Sequence, residues 1–262
     1  MANSVDMGAD AVPTSEAIAA ASTDDLKQWI LKRVAGRDGE KIGDKVRRVN
    51  QELMPLFDAL GDRNPTPDLN DQVPLVQGVW LSVWSTIPFQ DILPGRSHEQ
   101  SYQVFADNGY YANLARYELS DRIPLIGRLA KGWLNYDLMI VQSYGISEEL
   151  GMDEMQQQAW DIENVSIRQK FRFKTRKLTP EAAQSWFERA IAKHLAKLAK
   201  GGPSEAAIPT RGVNRSTAKR YEKVYKSKPK LEHLYIDRDF RLVKSSREKN
   251  QRPSYTIATR LI

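Results

Sequence analysis

The chain has 262 residues, a formal net charge of +6, 41% hydrophobic and 27% charged residues, the balance of an ordinary globular protein with a sizeable core. It contains no cysteine, which excludes disulfides, thiol catalysis and Cys-type zinc sites; its three histidines, His98, His194 and His233, are scattered, with no spacing that would gather them into a metal centre. The charge is uneven: residues 1–165 hold 14 Lys and Arg against 25 Asp and Glu, while residues 166–262 hold 25 against 8, which suits the C-terminal part to anionic partners.

Residues 1–24 carry Asp6, Asp10 and Glu16 and no Lys or Arg. They match neither a secretory signal nor an Arg-rich transit peptide and read as a disordered acidic tail ahead of one domain over 25–262. No apolar run approaches the ~20 residues of a spanning helix. Thr23-Asp24-Asp25 offers a cap and early negative charge for a first helix. A second begins near Glu40, where Ile42, Val46, Val49, Leu53, Phe57 and Leu60 form one apolar stripe. Pro55 should kink or restart it, and Asn64-Pro65-Thr66-Pro67 ends helix outright, because each residue before a proline is pushed toward extended geometry.

Strand candidates follow over Val79–Thr86, Gln100–Phe105, Tyr110–Leu119, Trp133–Tyr144 and Trp160–Lys174, then Leu231–Ile236, Phe240–Lys244 and Tyr255–Leu261, with Lys219–Lys226 as one more. Asp107-Asn108-Gly109 is a hairpin turn signal. About eight strands at hairpin spacing predict a mainly β fold, an antiparallel barrel or sandwich. One helix interrupts them: Thr179 caps it, Pro180 opens it and Gly201-Gly202-Pro203 ends it. Residues 201–217 read as a linker.

Under period-two alternation Trp80 and Trp84 share one strand face, Tyr102 pairs with Val104, and Tyr110 with Ala112 and Leu114. Trp133, Met139 and Val141 share a face whose opposite side, Leu134, Tyr136, Leu138 and Ile140, is also apolar. Such strands are covered twice, by the barrel interior and by the N-terminal helices. Whether the interior is an open cavity or filled is left undecided by the alternation; Trp80, Trp84, Tyr102, Tyr110, Leu114 and Met139 are the candidate ligand-binding residues of a cavity that the family resemblance given below implies. Arg241 and Arg260 are candidates to cover an end-plugging Trp80 by cation–π contact.

Helix 180–200 sets Trp186, Phe187, Ala190, Ile191 and Leu195 against Arg189, Lys193 and Lys197. Trp186, Phe187, Lys193 and Lys197 are candidate membrane contacts; alternatively the apolar face packs on the barrel. Basic and aromatic residues alternate over Arg168–Lys174 and Lys219–Lys226. That pattern can build a single-strand nucleic-acid platform, but apolar-in, charged-out strands are its commoner cause, so nucleic acid is the minority reading. Carboxylate pairs (Asp237/Asp239, Glu148/Glu149) and Ser85 or Ser143 lack recognisable catalytic partners. No Gly-rich phosphate loop is present, and no catalytic residue is assigned.

Two segments carry a family resemblance. Asn64-Pro65-Thr66-Pro67, Leu75, Gly78-Val79-Trp80-Leu81 and Trp84-Ser85-Thr86 are similar to the "NPTP…LL-G-W-L-YTS" opening of the plastid lipid-associated protein/fibrillin family. Leu234 to Leu242, containing Asp237 and Arg241, followed by Tyr255-Thr256-Ile257, resembles its "YLD-x-DLRI-x-R…FVL" ending. The G-x-W of the first segment also resembles a lipocalin strand opening, in which Gly78 admits close backbone approach and Trp80 plugs the closed end. The resemblance implies a lipocalin-like antiparallel barrel with N-terminal helices and one inserted amphipathic helix. It implies association with photosynthetic membranes or lipid droplets and handling of a quinone, carotenoid or tocopherol, with no cofactor required. Gly78, Asp237, Arg241 and Arg260 are structural in this view. Trp84 in place of Tyr, the Ser245–Arg252 loop and the inserted helix depart from the family pattern and suggest a divergent member. The location implied is the cytoplasmic side of a cyanobacterial thylakoid, or a plastid stroma or plastoglobule. The rival expectation is a protein-interaction adaptor with a filled barrel.

Overall fold

The strand candidates pair in chain order. The computed structural model describes residues 12–88, 95–118, 134–146, 159–173, 177–200, 228–246 and 251–262; Trp133, the 201–217 linker and the Lys219–Lys226 candidate lie outside them. Strands β1 (Gly78–Ser85), β2 (Arg96–Phe105), β3 (Tyr110–Glu118), β4 (Leu134–Ile146), β5 (Ala159–Phe173), β6 (Lys230–Ile236), β7 (Phe240–Ser246) and β8 (Ser254–Arg260) are each antiparallel to the next. β8 returns to β1, so one sheet closes into a ring, which leaves no open edge between first and last strands. The ring is irregular. β4 and β5 pair along their length, whereas among the described residues β5 and β6 share a short ladder, Ala159–Glu232, Trp160–Leu231 and Asp161–Lys230, continued by Ile162 N donating to the Pro229 carbonyl at 3.1 Å.

The helices among the described residues are α1 (Ser15–Ala20), α2 (Thr23–Val34), α3 (Ile42–Arg48), α4 (Met54–Gly61), α5 (Leu69–Val76) and α6 (Pro180–Leu198), with a π-helical turn over Val49–Leu53 joining α3 to α4. Pro55 sits in the first turn of α4, where its missing N–H costs nothing, and the π turn precedes it. Ser22, one residue before the expected cap, forms a capping box with Asp25. Residues 15–20, expected within a disordered tail, are helical instead. Thr14 caps α1, Ile18 is buried, and Arg63 donates to the Ala21 carbonyl. The sequence reading places no element over Leu69–Val76; Asp68 caps α5 there by accepting from Asn70 N at 2.7 Å.

Two helical layers cover the outer face. Leu26, Ile30, Leu53, Leu56 and Phe57 of the N-terminal helices pack on Trp84, Tyr235, Leu242, Tyr255 and Ile257. Ala183, Phe187, Ala190 and Ile191 of α6 pack on Val79, Tyr102, Val104, Leu114, Met139 and Val141. The outer face of β4 is thus covered by α6, not by the N-terminal helices as the sequence suggests. Burying an aromatic such as Phe187 stabilises by roughly 1.5–3 kcal/mol.

β1 also departs from simple alternation. Its pairing with β8 slips between Ser82 and Trp84, a bulge that transfers every later side chain to the other face. Trp80 and Trp84 therefore do not share a face: Trp80 points into the ring and Trp84 lies beneath the N-terminal helices.

Candidate functional site

One end of the ring is closed. Trp80 lies in a layer with Phe105, Tyr111, Tyr144, Trp160 and Ile236, beneath Leu69 and Val76 of α5. Its indole Nε1 donates to the Val76 carbonyl at 2.7 Å. The guanidinium carbons of Arg260 and Arg241 stand 4.3 and 4.9 Å from its ring centroid. Arg260 also donates to the carbonyls of Leu75, Gln77 and Arg238, tying α5 and the β6–β7 turn to the last strand. Gly78 has φ +106°, and a Cβ there would collide with the Ile262 carbonyl, the group that accepts from Val79 N at 3.0 Å. Asp237 accepts from the Asp239 and Phe240 amides, from the Tyr235 hydroxyl and from Lys27 Nζ; it pins the β6–β7 turn to α2.

Beyond this plug lies a cavity of about 350 Å³. A ladder of amides crosses four adjacent strands along its wall. Gln103 Nε2 donates to Asn113 Oδ1 at 3.1 Å, Asn113 Nδ2 to Gln142 Oε1 at 2.7 Å, and Gln142 Nε2 to Asn164 Oδ1 at 2.9 Å. The amides spend their polarity on one another, so the wall is less polar than its composition. Gln103 Oε1, at the end of the ladder, has no partner among the described residues. Ile87, Pro88, Tyr117, Leu138 and Ile140 supply apolar lining, and Ser82, Ser254 and Thr256 face them.

A buried charge cluster stands at the other end of the ring. Asp38, in the turn after α2, accepts from Lys45 Nζ at 2.9 Å, Ser85 N at 3.0 Å, Arg96 Nη2 at 2.7 Å and His98 Nδ1 at 2.7 Å. Burial by itself would raise this carboxyl, but the His98 hydrogen bond and the Arg96 and Lys45 charges outweigh it and hold it well below the usual carboxylate range. Arg96 also lines the cavity and donates to Ser101 Oγ at 3.0 Å. The cluster therefore fastens the N-terminal helices to the strands that form the cavity wall. It explains why Lys45 is buried while Ile42, the first residue of the expected stripe, is 41% exposed.

The six residues expected to line a cavity are dispersed. Trp80 forms the closed end. Trp84 packs under the N-terminal helices. Tyr102 and Leu114 border the cavity, but both pack with Met139 in the layer under α6, and the Tyr102 hydroxyl donates outward to the Leu178 carbonyl at 2.8 Å. Tyr110 also belongs to that outer layer, its ring 5.5 Å from that of His194. The expected membrane contacts separate similarly: Phe187 is buried and Trp186 partly buried against the ring, while Lys193 and Lys197 are exposed. Phe187 is thus committed to packing and unavailable to a lipid surface. The sequence reading did not find Gln103, Asn113, Gln142, Asn164, Arg96 or Tyr117. For Gln103, Asn113, Gln142 and Tyr117 the signal was present as the opposite phase of the same alternation, but the more apolar phase was assigned to the interior; Arg96 lies before the expected strand and across a bulge in the β2–β3 pairing. Among the described residues no group of three or more His, Asp or Glu is placed to hold a metal ion, and no helix is long and apolar enough to cross a membrane. The chain matches no family model, no curated protein and no solved structure.

Proposed function

We propose that this chain is a non-catalytic carrier that holds an apolar or amphiphilic small molecule inside a lipocalin-like barrel, as a divergent member of the plastid lipid-associated protein/fibrillin family acting at photosynthetic membranes. The observation that carries the reading is the cavity of about 350 Å³ inside the ring, bounded by the Trp80 plug and by a wall whose amides are hydrogen-bonded to one another. This volume is at the small end of the ~300–1,000 Å³ typical of ligand sites. It suits the ring head of a quinone or tocopherol with part of its tail better than a whole carotenoid. The two resembling segments supply elements of the plug: Gly78 and Trp80 from one, Arg241 from the other.

The test is extraction of the purified full-length chain and mass spectrometry of what it retains, followed by reloading with a short-chain prenylquinone. Retention or stoichiometric reloading supports the reading; a protein that emerges empty and takes up nothing refutes it. A protein-adaptor role is the second reading. Lys170 on β5 lies in the field of Arg172 and of Arg189 on α6, and Lys193 and Lys197 extend this cationic face. Stoichiometric capture of one acidic protein by ligand-free chain would favour the adaptor.

A further inference from the structure

We propose that the ligand carries a carboxylate head drawn to Arg241, which lies in the closed layer directly beneath the cavity lining of Tyr111, Ile162 and Val243. The inference rests on the carrier reading and narrows its amphiphilic ligand to an acid, in place of the neutral head of a quinone or tocopherol. Arg241 is fully buried. Its Nε donates to His233 Nε2 at 3.2 Å, and neither Nη1 nor Nη2 has a hydrogen-bond partner among the described residues. Besides His233, the charged and titratable groups that act on it are Arg260, Tyr111 and Tyr144; none is a carboxylate. Trp80 and Phe105 place their rings 4.9 and 4.6 Å from the guanidinium. These contacts offset part of the desolvation, but a buried cation without an anion remains costly.

The neighbouring groups do not supply that anion. Gln72 Nε2 donates to the Thr66 and Pro67 carbonyls, which turns Gln72 Oε1 toward His233 Nδ1 at 2.9 Å. His233 therefore carries its proton on Nδ1 and offers Nε2 to Arg241. It is a neutral positioning residue, deeply buried and held well below its ordinary titration range by burial and by Arg241. Trp160 Nε1 is a further buried donor without a partner among the described residues, and its ring meets His233 at 4.8 Å. Among the described residues this layer thus holds buried donors without partners and no carboxylate. Arg260 already performs the structural clamping of the plug, so clamping does not account for Arg241.

Position connects this layer to the cavity. Val243 and Ile162 line the cavity and lie two residues from Arg241 and Trp160 on the same inward face. Tyr111 also lines it and stacks on Phe105 at 4.6 Å. The two terminal amines of a guanidinium match the two oxygens of a carboxylate in a fork that a neutral ester or alcohol cannot reproduce. An apolar chain of medium length would then run along the self-paired amide wall.

Isothermal titration calorimetry of the full-length chain at pH 7 with decanoate, methyl decanoate and decanol tests this. Decanoate should bind roughly tenfold or more tightly than either neutral analogue, as a hydrogen bond to a charged group requires. Arg241→Met should abolish the preference while retaining decanol binding. The wild-type comparison needs no variant and decides the matter even where Arg241→Met does not fold. Equal affinity for all three compounds overturns the carboxylate head and leaves the carrier reading standing. Binding of none of them overturns the carboxylate head, and prenylquinone retention or reloading then decides the carrier reading separately.

Discussion

Removing the Asp38 carboxylate should be among the most damaging single changes in this protein. The side chains of Asp38, Lys45 and Arg96 are 5%, 2% and 1% accessible, so Asp38→Ala leaves two desolvated cations facing each other without their shared anion. Breaking a buried pair by deleting one partner costs about 3–5 kcal/mol, and the lost hydrogen bond to Ser85 N adds about 1 kcal/mol. Relief is partial, because Arg96 keeps Ser101 Oγ and Lys45 keeps the Ser85 carbonyl. A net loss of about 4 kcal/mol follows, a large share of the ~5–15 kcal/mol of a typical domain. Urea unfolding at pH 7, followed by tryptophan fluorescence, reads it directly, since Trp84 lies 5.9 Å from Lys45 Nζ. Asp38→Ala combined with Lys45→Met should recover part of the loss. The sign of the pH dependence is also determined. The folded-state carboxyl is depressed, so its stabilisation is complete above the unfolded value of about 3.9 and fades as pH falls from there toward the folded value. Asp38→Asn should show a shallower decline in that range. A loss under ~1 kcal/mol for Asp38→Ala, the scale of a surface pair, would refute the account of the cluster.

The remaining predictions concern the plug and the outer layers. Gly78→Ala places a Cβ against the Ile262 carbonyl at φ +106° and should cost roughly 1–3 kcal/mol, seen as a lower thermal midpoint; an unchanged midpoint would mean that the C-terminus does not lie over Gly78. His233 is buried and its pKa depressed, so its stabilisation is complete above its unfolded value of about 6.5 and declines below it by at most about 1.4 kcal/mol per pH unit. Stability measured between pH 7 and 5 should be flatter in His233→Gln than in the wild type. Phe187→Ala should cost about 3–5 kcal/mol through the cavity it leaves, measured by urea unfolding. Lys193→Ala with Lys197→Ala should leave stability within ~0.5 kcal/mol yet weaken sedimentation with vesicles containing anionic phosphatidylglycerol; unchanged sedimentation would remove these lysines from any lipid contact.

Much of the architecture was legible in the chain itself. β-branched and aromatic runs between turn residues located the described strands, because side-chain alternation and turn chemistry are local properties. Thr179-Pro180 marked the start of α6, and the proximity of Arg241 and Arg260 to Trp80 was anticipated from the residues that resemble a plugged barrel. Which face of each strand looks inward was not local. Both faces of β2, β3 and β4 are buried, so hydrophobicity cannot distinguish ring from helix layer, and the more apolar face went to α6 while Gln103, Asn113 and Gln142 turned inward. The bulge after Ser82 reversed Trp84 relative to Trp80, a one-residue shift set by pairing with β8. Tertiary structure alone joined Asp38 to Lys45, Arg96 and His98, and Thr66 through Gln72 and His233 to Arg241. The physical reason is that a buried charge or amide chooses its partner by proximity in the folded chain, and no periodicity in sequence encodes that distance.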